Sequence, residues 1–170
     1  MKKYAKIFAV ALMFVLVTGC GGKKITCTYS ESDSYHGKAY QKIVREYNSN
    51  GIGIVKYTTY NEQSYNQRYL TYLQNEYKET INDLYKDALE SCEKYNSASF
   101  VTCKTKLKGK KITQTVTFNL KGMTKDSIEK LYDNDAISYS VYSTAVEALE
   151  STYDKDLLDA KDVSNKMTCK

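Results

Sequence analysis

The chain has 170 residues, of which 42% are apolar and 26% charged, with 25 Lys+Arg against 20 Asp+Glu. That is one domain's length of chain, with too much apolar content and too little net charge for wholesale disorder. It holds 17 Tyr but only 4 Phe, no Trp, no Pro and a single His. A histidine-based metal site is therefore excluded, and the usual side chains of acid–base catalysis are scarce.

The first segment reads as an address. Lys2, Lys3 and Lys6 make a positive start, and Ile7 to Val17 is an unbroken apolar run of eleven residues. Such a run fits the apolar region of a signal peptide and falls well short of the ~20 residues a spanning helix needs. Val17-Thr18-Gly19-Cys20 follows. This sequence of an aliphatic residue, two small residues and cysteine resembles the lipobox of bacterial lipoproteins. The resemblance implies a diacylglycerol on the Cys20 sulfur, cleavage before Cys20 and acylation of the new amino group. One acyl chain holds a protein to a membrane weakly and two hold it stably. Residues 1–19 are thus expected to be signal peptide and 20–24 the lipidated cysteine with a short tether. Residues 25–170 are expected to form a single extracytoplasmic domain. Loss of residues 1–19 removes three lysines and leaves a formal charge of +2. With no basic stripe, zinc spacing or RNA-binding signature, a nucleic-acid partner is not expected.

Residues 25–30 favour a strand, a polar turn follows, and residues 39–47 carry Ile43, Val44 and Tyr47. Asn48-Ser49-Asn50-Gly51 is a turn signal, and the β-rich run from Ile52 to Tyr60 closes a hairpin around it. The period then changes. Tyr69, Leu70, Leu73, Tyr77, Ile81, Leu84, Ala88 and Cys92 fall on one helical face, which predicts a single long helix over Tyr65–Tyr95. Ser64 and Gln67 fit a capping box at its start. Residues 98–107 alternate again, and Lys108-Gly109 is a turn candidate. Residues 110–120 place Ile112, Val116, Phe118 and Leu120 on one face and threonines on the other, as a half-buried hairpin strand does. Thr124 can cap a short helix through Leu131. Ala136 to Tyr139 leans towards strand, Val141 to Tyr153 towards helix, and Met167 to Lys170 towards a short closing strand. Hairpins with helices on one face make an α+β domain: an antiparallel sheet, one long helix and shorter C-terminal helices.

With Cys20 assigned to lipid, four cysteines remain: Cys27, Cys92, Cys103 and Cys169. An even number outside the cytoplasm suggests disulfides, and four cysteines allow three pairings. Proximity in the predicted topology favours Cys92–Cys103, and the closeness of domain termini favours Cys27–Cys169. A four-cysteine zinc site would need close ligand spacing that this chain lacks.

The overall pattern resembles the YehR-like lipoproteins, a family of small bacterial envelope proteins. The marks are the lipobox, the strands, a Tyr-rich middle helix, Leu120-Lys121-Gly122 and a C-terminal cysteine, together covering most of residues 20–170. The resemblance implies fold and location and carries over no catalytic residue.

The chain offers little chemistry. His36, in the polar turn near Asp33 and Ser34, reads as an exposed loop histidine rather than part of a triad. Asp126, Glu129, Asp133 and Asp135 read as a solvated stretch, without the spacing of a calcium loop. Tyr57 and Tyr60 end a strand, and Tyr65, Tyr69 and Tyr72 lie along one stripe. Such side chains can grip a peptide, a glycan or a protein, although a composition that uses Tyr in place of Phe is the preferred account of them. The expectation is a membrane-anchored, non-enzymatic binding or interaction module without cofactor or metal, with an envelope protein, peptide or glycan as partner. A transporter accessory that binds solute would need a pocket. An envelope-polymer hydrolase would need converging ionisable groups in a cleft.

Overall fold

The computed structural model describes residues 22–162 and 167–170, so the expected signal peptide 1–19 and the expected lipidation site Cys20 lie outside the described residues. Six strands and five helices follow in the order β1 (Lys24–Asp33), β2 (Gly37–Tyr47), β3 (Ile54–Tyr65), α1 (Gln67–Glu76), α2 (Ile81–Asn96), β4 (Val101–Lys108), β5 (Lys111–Asn119), α3 (Lys125–Asp133), α4 (Tyr139–Glu150), α5 (Tyr153–Asp162) and β6 (Met167–Cys169). The strands form one antiparallel sheet in the order β4-β5-β3-β2-β1-β6. The α+β architecture expected from the sequence is the one observed, with helices packed against the sheet.

Alternation along the strands sends one set of side chains to the helices and the other to the open face. Ile25, Cys27, Tyr47, Ile54, Val101, Cys103, Val116 and Phe118 point inwards and are buried. They meet Cys92 of α2, Ile128 of α3, and Val141, Ala145 and Ala148 of α4 in one core. α2 lies over β4 and β5, α4 over β3, and α5 beside β1 and β6, while α3 packs on α4.

Two hairpins open the domain. In the β1–β2 turn the Asp33 Oδ1 accepts from the backbone N–H groups of Tyr35 (2.7 Å) and His36 (2.6 Å). These bonds hold the Asp33 carboxyl below its usual range. Gly37 follows at φ +125°, and a Cβ there would lie 2.0 Å from the Ser64 carbonyl oxygen, so no other residue fits. The β2–β3 loop docks on the α4–α5 junction, where Gly53 N–H donates to the Ser151 carbonyl at 2.8 Å and Tyr153 N–H to that of Gly51 at 2.8 Å.

The long helix expected over Tyr65–Tyr95 is two helices. Ser64 and Tyr65 still belong to β3, where Ser64 pairs with Lys38 and Lys111. The ladder takes the residues that a Ser64–Gln67 capping box would use. Asn66 is the N-cap of α1 instead, and its side chain makes no capping bond; it donates to the Ser34 carbonyl at 2.9 Å. α1 stops at Tyr77, where Lys78 takes φ +60°. α2 then restarts on a capping box in which Thr80 accepts from Asp83 N–H and the Asp83 carboxylate accepts from Thr80 N–H. The apolar spacing runs through this break without changing phase, so periodicity alone does not show it. The Thr80-x-x-Asp83 pattern was the available signal.

Three smaller expectations also change. The β4–β5 turn is Gly109-Lys110, one residue later than Lys108-Gly109, because Gly109 supplies the positive φ of +59° and Lys108 pairs with Lys111. Ala136 to Tyr139 is not a strand: buried Ile137 anchors the turn, and Ser138 caps α4 by accepting from Val141 N–H. The helix expected over Val141 to Tyr153 ends at Glu150, and Tyr153 begins a further helix, α5.

The structure joins Cys27 to Cys169, with Cα atoms 4.0 Å apart, across the β1–β6 ladder, in which the two residues are directly opposite. It joins Cys92 to Cys103, with Cα atoms 5.1 Å apart, linking α2 to edge strand β4. At the same place Asn96 uses its amide as a strand substitute: its Nδ2 donates to the Cys103 carbonyl (3.2 Å) and its Oδ1 accepts from Cys103 N–H (2.6 Å). An edge strand covered in this way is a poorer template for another chain.

Candidate ligand-binding site

Between α2 and the inner face of β1, β2 and β3 lies an open groove of about 560 Å³. It exists because the inward-pointing residues change character along the strands. Near the start of β1 they are Ile25, Ile43 and Ile54; further along they are Tyr29, Gln41, Asn61 and Gln63. Gln41, Asn61, Gln63 and Gln114 bring four primary amides to the groove. Gln41 Nε2 donates to Asn61 Oδ1 at 3.0 Å, and Gln114 Nε2 donates to the Ala88 carbonyl at 3.2 Å. Leu84, Asp87, Ala88 and Ser91 of α2 form the other wall. An extension of about 260 Å³ continues past Ala39 and Gln63 to Glu31, Asp33 and His36. Among the described residues, no arginine or lysine lines either space.

Tyr65 lines this groove and also opens an aromatic cluster. Its ring stacks on Tyr69 with centroids 6.0 Å apart and planes 11° from parallel. Tyr69 lies 5.0 Å from the His36 ring and 5.9 Å from Tyr35. Tyr35 in turn meets Tyr72 at 6.2 Å, and the Arg68 guanidinium sits 5.3 Å over the Tyr35 ring. Tyr72 and Tyr77 continue the cluster into solvent, being 40% and 60% exposed. Burial, then Tyr69, raises the Tyr65 hydroxyl above its ordinary pKa, and hydrogen bonding with Tyr77 pushes that of Tyr72 up to about 12. These phenols are neutral at physiological pH and act as hydrogen-bonding tips on apolar plates.

The residues singled out in the sequence separate clearly. Tyr65, Tyr69 and Tyr72 come together with Tyr77 of the same helical stripe, joined by Tyr35 and His36 from a turn the sequence did not connect to them. Tyr57 faces the core beside Phe118, and Tyr60 lies on the opposite face, donating to Glu62 at 2.7 Å. His36 is exposed, with its Nδ1 3.1 Å from Asp33 Oδ1. Asp126, Glu129, Asp133 and Asp135 are all exposed, on α3 and the turn after it. The groove amides had no local signature, since three strands of separate hairpins contribute them.

A second polar assembly was also invisible in the sequence. The Tyr47 hydroxyl, deep in the core, donates to the Asp156 carboxylate, and Arg45 Nε lies 4.0 Å from it. Burial, then Asp156, raises the Tyr47 hydroxyl far above its ordinary pKa. Glu147 and Tyr57 close a cavity of about 130 Å³ beside this group. Ionisable groups converge here, yet the space has room for about four waters and no sugar ring. Its evident work is to pin α5 to β2.

No family model matches the chain, and no curated protein matches it. An NMR structure of a protein from Streptococcus pneumoniae TIGR4 aligns with 100% of this chain and 99% of that one, at 15% sequence identity and a TM-score of 0.41.

Proposed function

We propose that the protein is a lipid-anchored binding module of the bacterial envelope, tethered through Cys20, that holds an uncharged glycan without transforming it. The observation that carries this reading is the continuity of the amide-lined groove with the Tyr65–Tyr69 stack. Amides match the paired donor and acceptor character of sugar hydroxyls, and tyrosine rings offer faces to the apolar side of a pyranose. A groove of this volume lies within the range of small-ligand sites. Its carboxylates, Asp87 and Glu31 among them, disfavour anionic ligands. β1 begins four residues after Cys20 and runs towards the aromatic end. At ~3.3 Å per residue the cluster stands roughly 30 Å from the tethered end, where it can meet wall or matrix material.

Titration with a panel of neutral oligosaccharides, read by chemical-shift changes of amide side chains, tests the site. Shifts should map to Gln41, Asn61, Gln63 and Gln114. Changing the half-buried Tyr69→Ala together with Asn61→Ala should weaken binding at least tenfold in a protein that thermal melting shows to be still folded. Shifts elsewhere, or none with any glycan, refute the glycan reading. The anchor is tested separately by labelled fatty acid, which should appear on the wild-type protein and be absent from Cys20→Ser.

A further inference from the structure

The face of the sheet turned away from the helices has its own chemistry. Residues directly opposite in an antiparallel ladder share a face. The register sets Lys104, Thr115, Tyr60, Lys42 and Thr28 in one row across five strands. A second row runs Lys106, Thr113, Glu62 and Tyr40, and a third Lys108, Lys111, Ser64 and Lys38. Lys111 is engaged by Glu62 at 2.8 Å. Lys38, Lys42, Lys104, Lys106 and Lys108 are exposed and form no ion pair among the described residues.

Charge is divided between the layers. The strands carry nine Lys+Arg against four Asp+Glu. The helices carry fourteen Asp+Glu against seven Lys+Arg. A polyanion is therefore repelled by one layer and drawn to the other. Lysines on β4 alone would be explained as protection of an edge strand. Lys38 and Lys42 lie on β2, an interior strand, where no edge needs protecting.

We propose that this open face binds a linear polyol-phosphate polymer of the envelope. Lys104, Lys106 and Lys108 repeat about every 7 Å along β4, so an extended polyanion can meet a cation at each step. Between the lysines lie the hydroxyls of Thr113 and Thr115, and the next row adds Thr58 and Thr117, whose oxygens are 3.3 Å apart. They can donate to phosphate oxygens and exchange hydrogen bonds with polyol hydroxyls. The face carries no Leu, Ile, Phe or Trp to insert into a bilayer, as a membrane-docking surface does. The proposal rests on the envelope location above, and its test does not involve the groove, which opens on the other side of the sheet.

The experiment titrates labelled poly(glycerol phosphate) with the purified full chain over a range of salt concentrations. It compares wild type with a Lys104→Gln, Lys106→Gln, Lys108→Gln triple variant and with a Lys38→Gln, Lys42→Gln double variant, each checked by thermal melting. Wild type should bind at low salt. The triple variant should bind at least tenfold more weakly, and the slope of log affinity on log salt should shrink by about 2, at ~0.7 per lost phosphate contact on a flexible strand. The double variant, on an interior strand, should also weaken binding. Binding that ignores both variants overturns the proposal, as does absence of binding. So does capture by phosphatidylglycerol vesicles with none by the polymer, which would assign the face to a bilayer. Loss of fatty acid from Cys20 with polymer binding intact would overturn the anchor and leave this surface standing.

Discussion

Lys78 shows how one backbone angle divides an element. At φ +60° a residue with a Cβ pays a steric penalty of about 1–2 kcal/mol that glycine does not. The Thr80–Asp83 box then satisfies N–H groups that the restarted helix would leave open, and its loss should cost about 1 kcal/mol. Lys78→Gly should accordingly raise stability by up to about 1 kcal/mol in urea melts, while Thr80→Ala lowers it. If Lys78→Gly destabilised, the left-handed junction would not be the native one. Glu62 makes a second residue-scale case. Lys111 first, then Tyr60, holds its carboxyl below the usual value. The folded pKa lies below the unfolded one, so the contribution is present above about pH 4.3 and lost as the pH falls through the folded value. Wild type should exceed Glu62→Gln by on the order of 1 kcal/mol or less at neutral pH. That advantage should vanish in acid melts; an advantage independent of pH would contradict the ion pair.

At the scale of elements, the unit formed by α2, β4 and β5 has three ties. These are the Cys92–Cys103 bridge, the Asn96 amide on the Cys103 backbone, and Gln114 reaching the Ala88 carbonyl. Closing so short a loop is worth roughly 3 kcal/mol in the chain-entropy account. Cys92→Ala with Cys103→Ala should lower stability by about that amount. Because Asn96 and Gln114 still hold the helix, the groove beside α2 should survive, which glycan titration of the double variant would show. α3 depends more on a single contact. Its buried residue is Ile128, 0% exposed, and Ile128→Ala should cost about 2–5 kcal/mol in equilibrium unfolding.

At the scale of the whole molecule, the sheet separates two surfaces of opposite charge, and its length separates the start of β1 from the aromatic cluster. The Cys27–Cys169 bridge spans 142 residues and fastens the three-residue strand β6 to β1. Removing it with Cys27→Ala and Cys169→Ala should cost roughly 5 kcal/mol by loop entropy, and should expose the β1 edge to association. Light scattering alongside thermal melting would register both changes, and a variant that stayed monomeric with an unchanged melt would show β6 to be dispensable.

Much of this was legible in the chain because it rests on local physics. The alternation of Ile112, Val116 and Phe118 specifies a strand with one buried face, and Thr124 specifies a helix start, since each depends on neighbours within a few residues. The α+β class follows from the order of such elements. Tertiary contacts decided the rest. Ser64 could cap a helix or extend a ladder, and two flanking strands chose the ladder. Tyr65, Tyr69 and Tyr72 were visible as a stripe, but Tyr35 and His36 joined them only when the β1–β2 turn met α1. Gln41, Asn61, Gln63 and Gln114 carry no motif, because hydrogen-bonding side chains gain meaning as a site only when register places them on one face. The layer charges were likewise hidden in one overall figure of +5, which does not show lysines gathered on the strands and carboxylates on the helices.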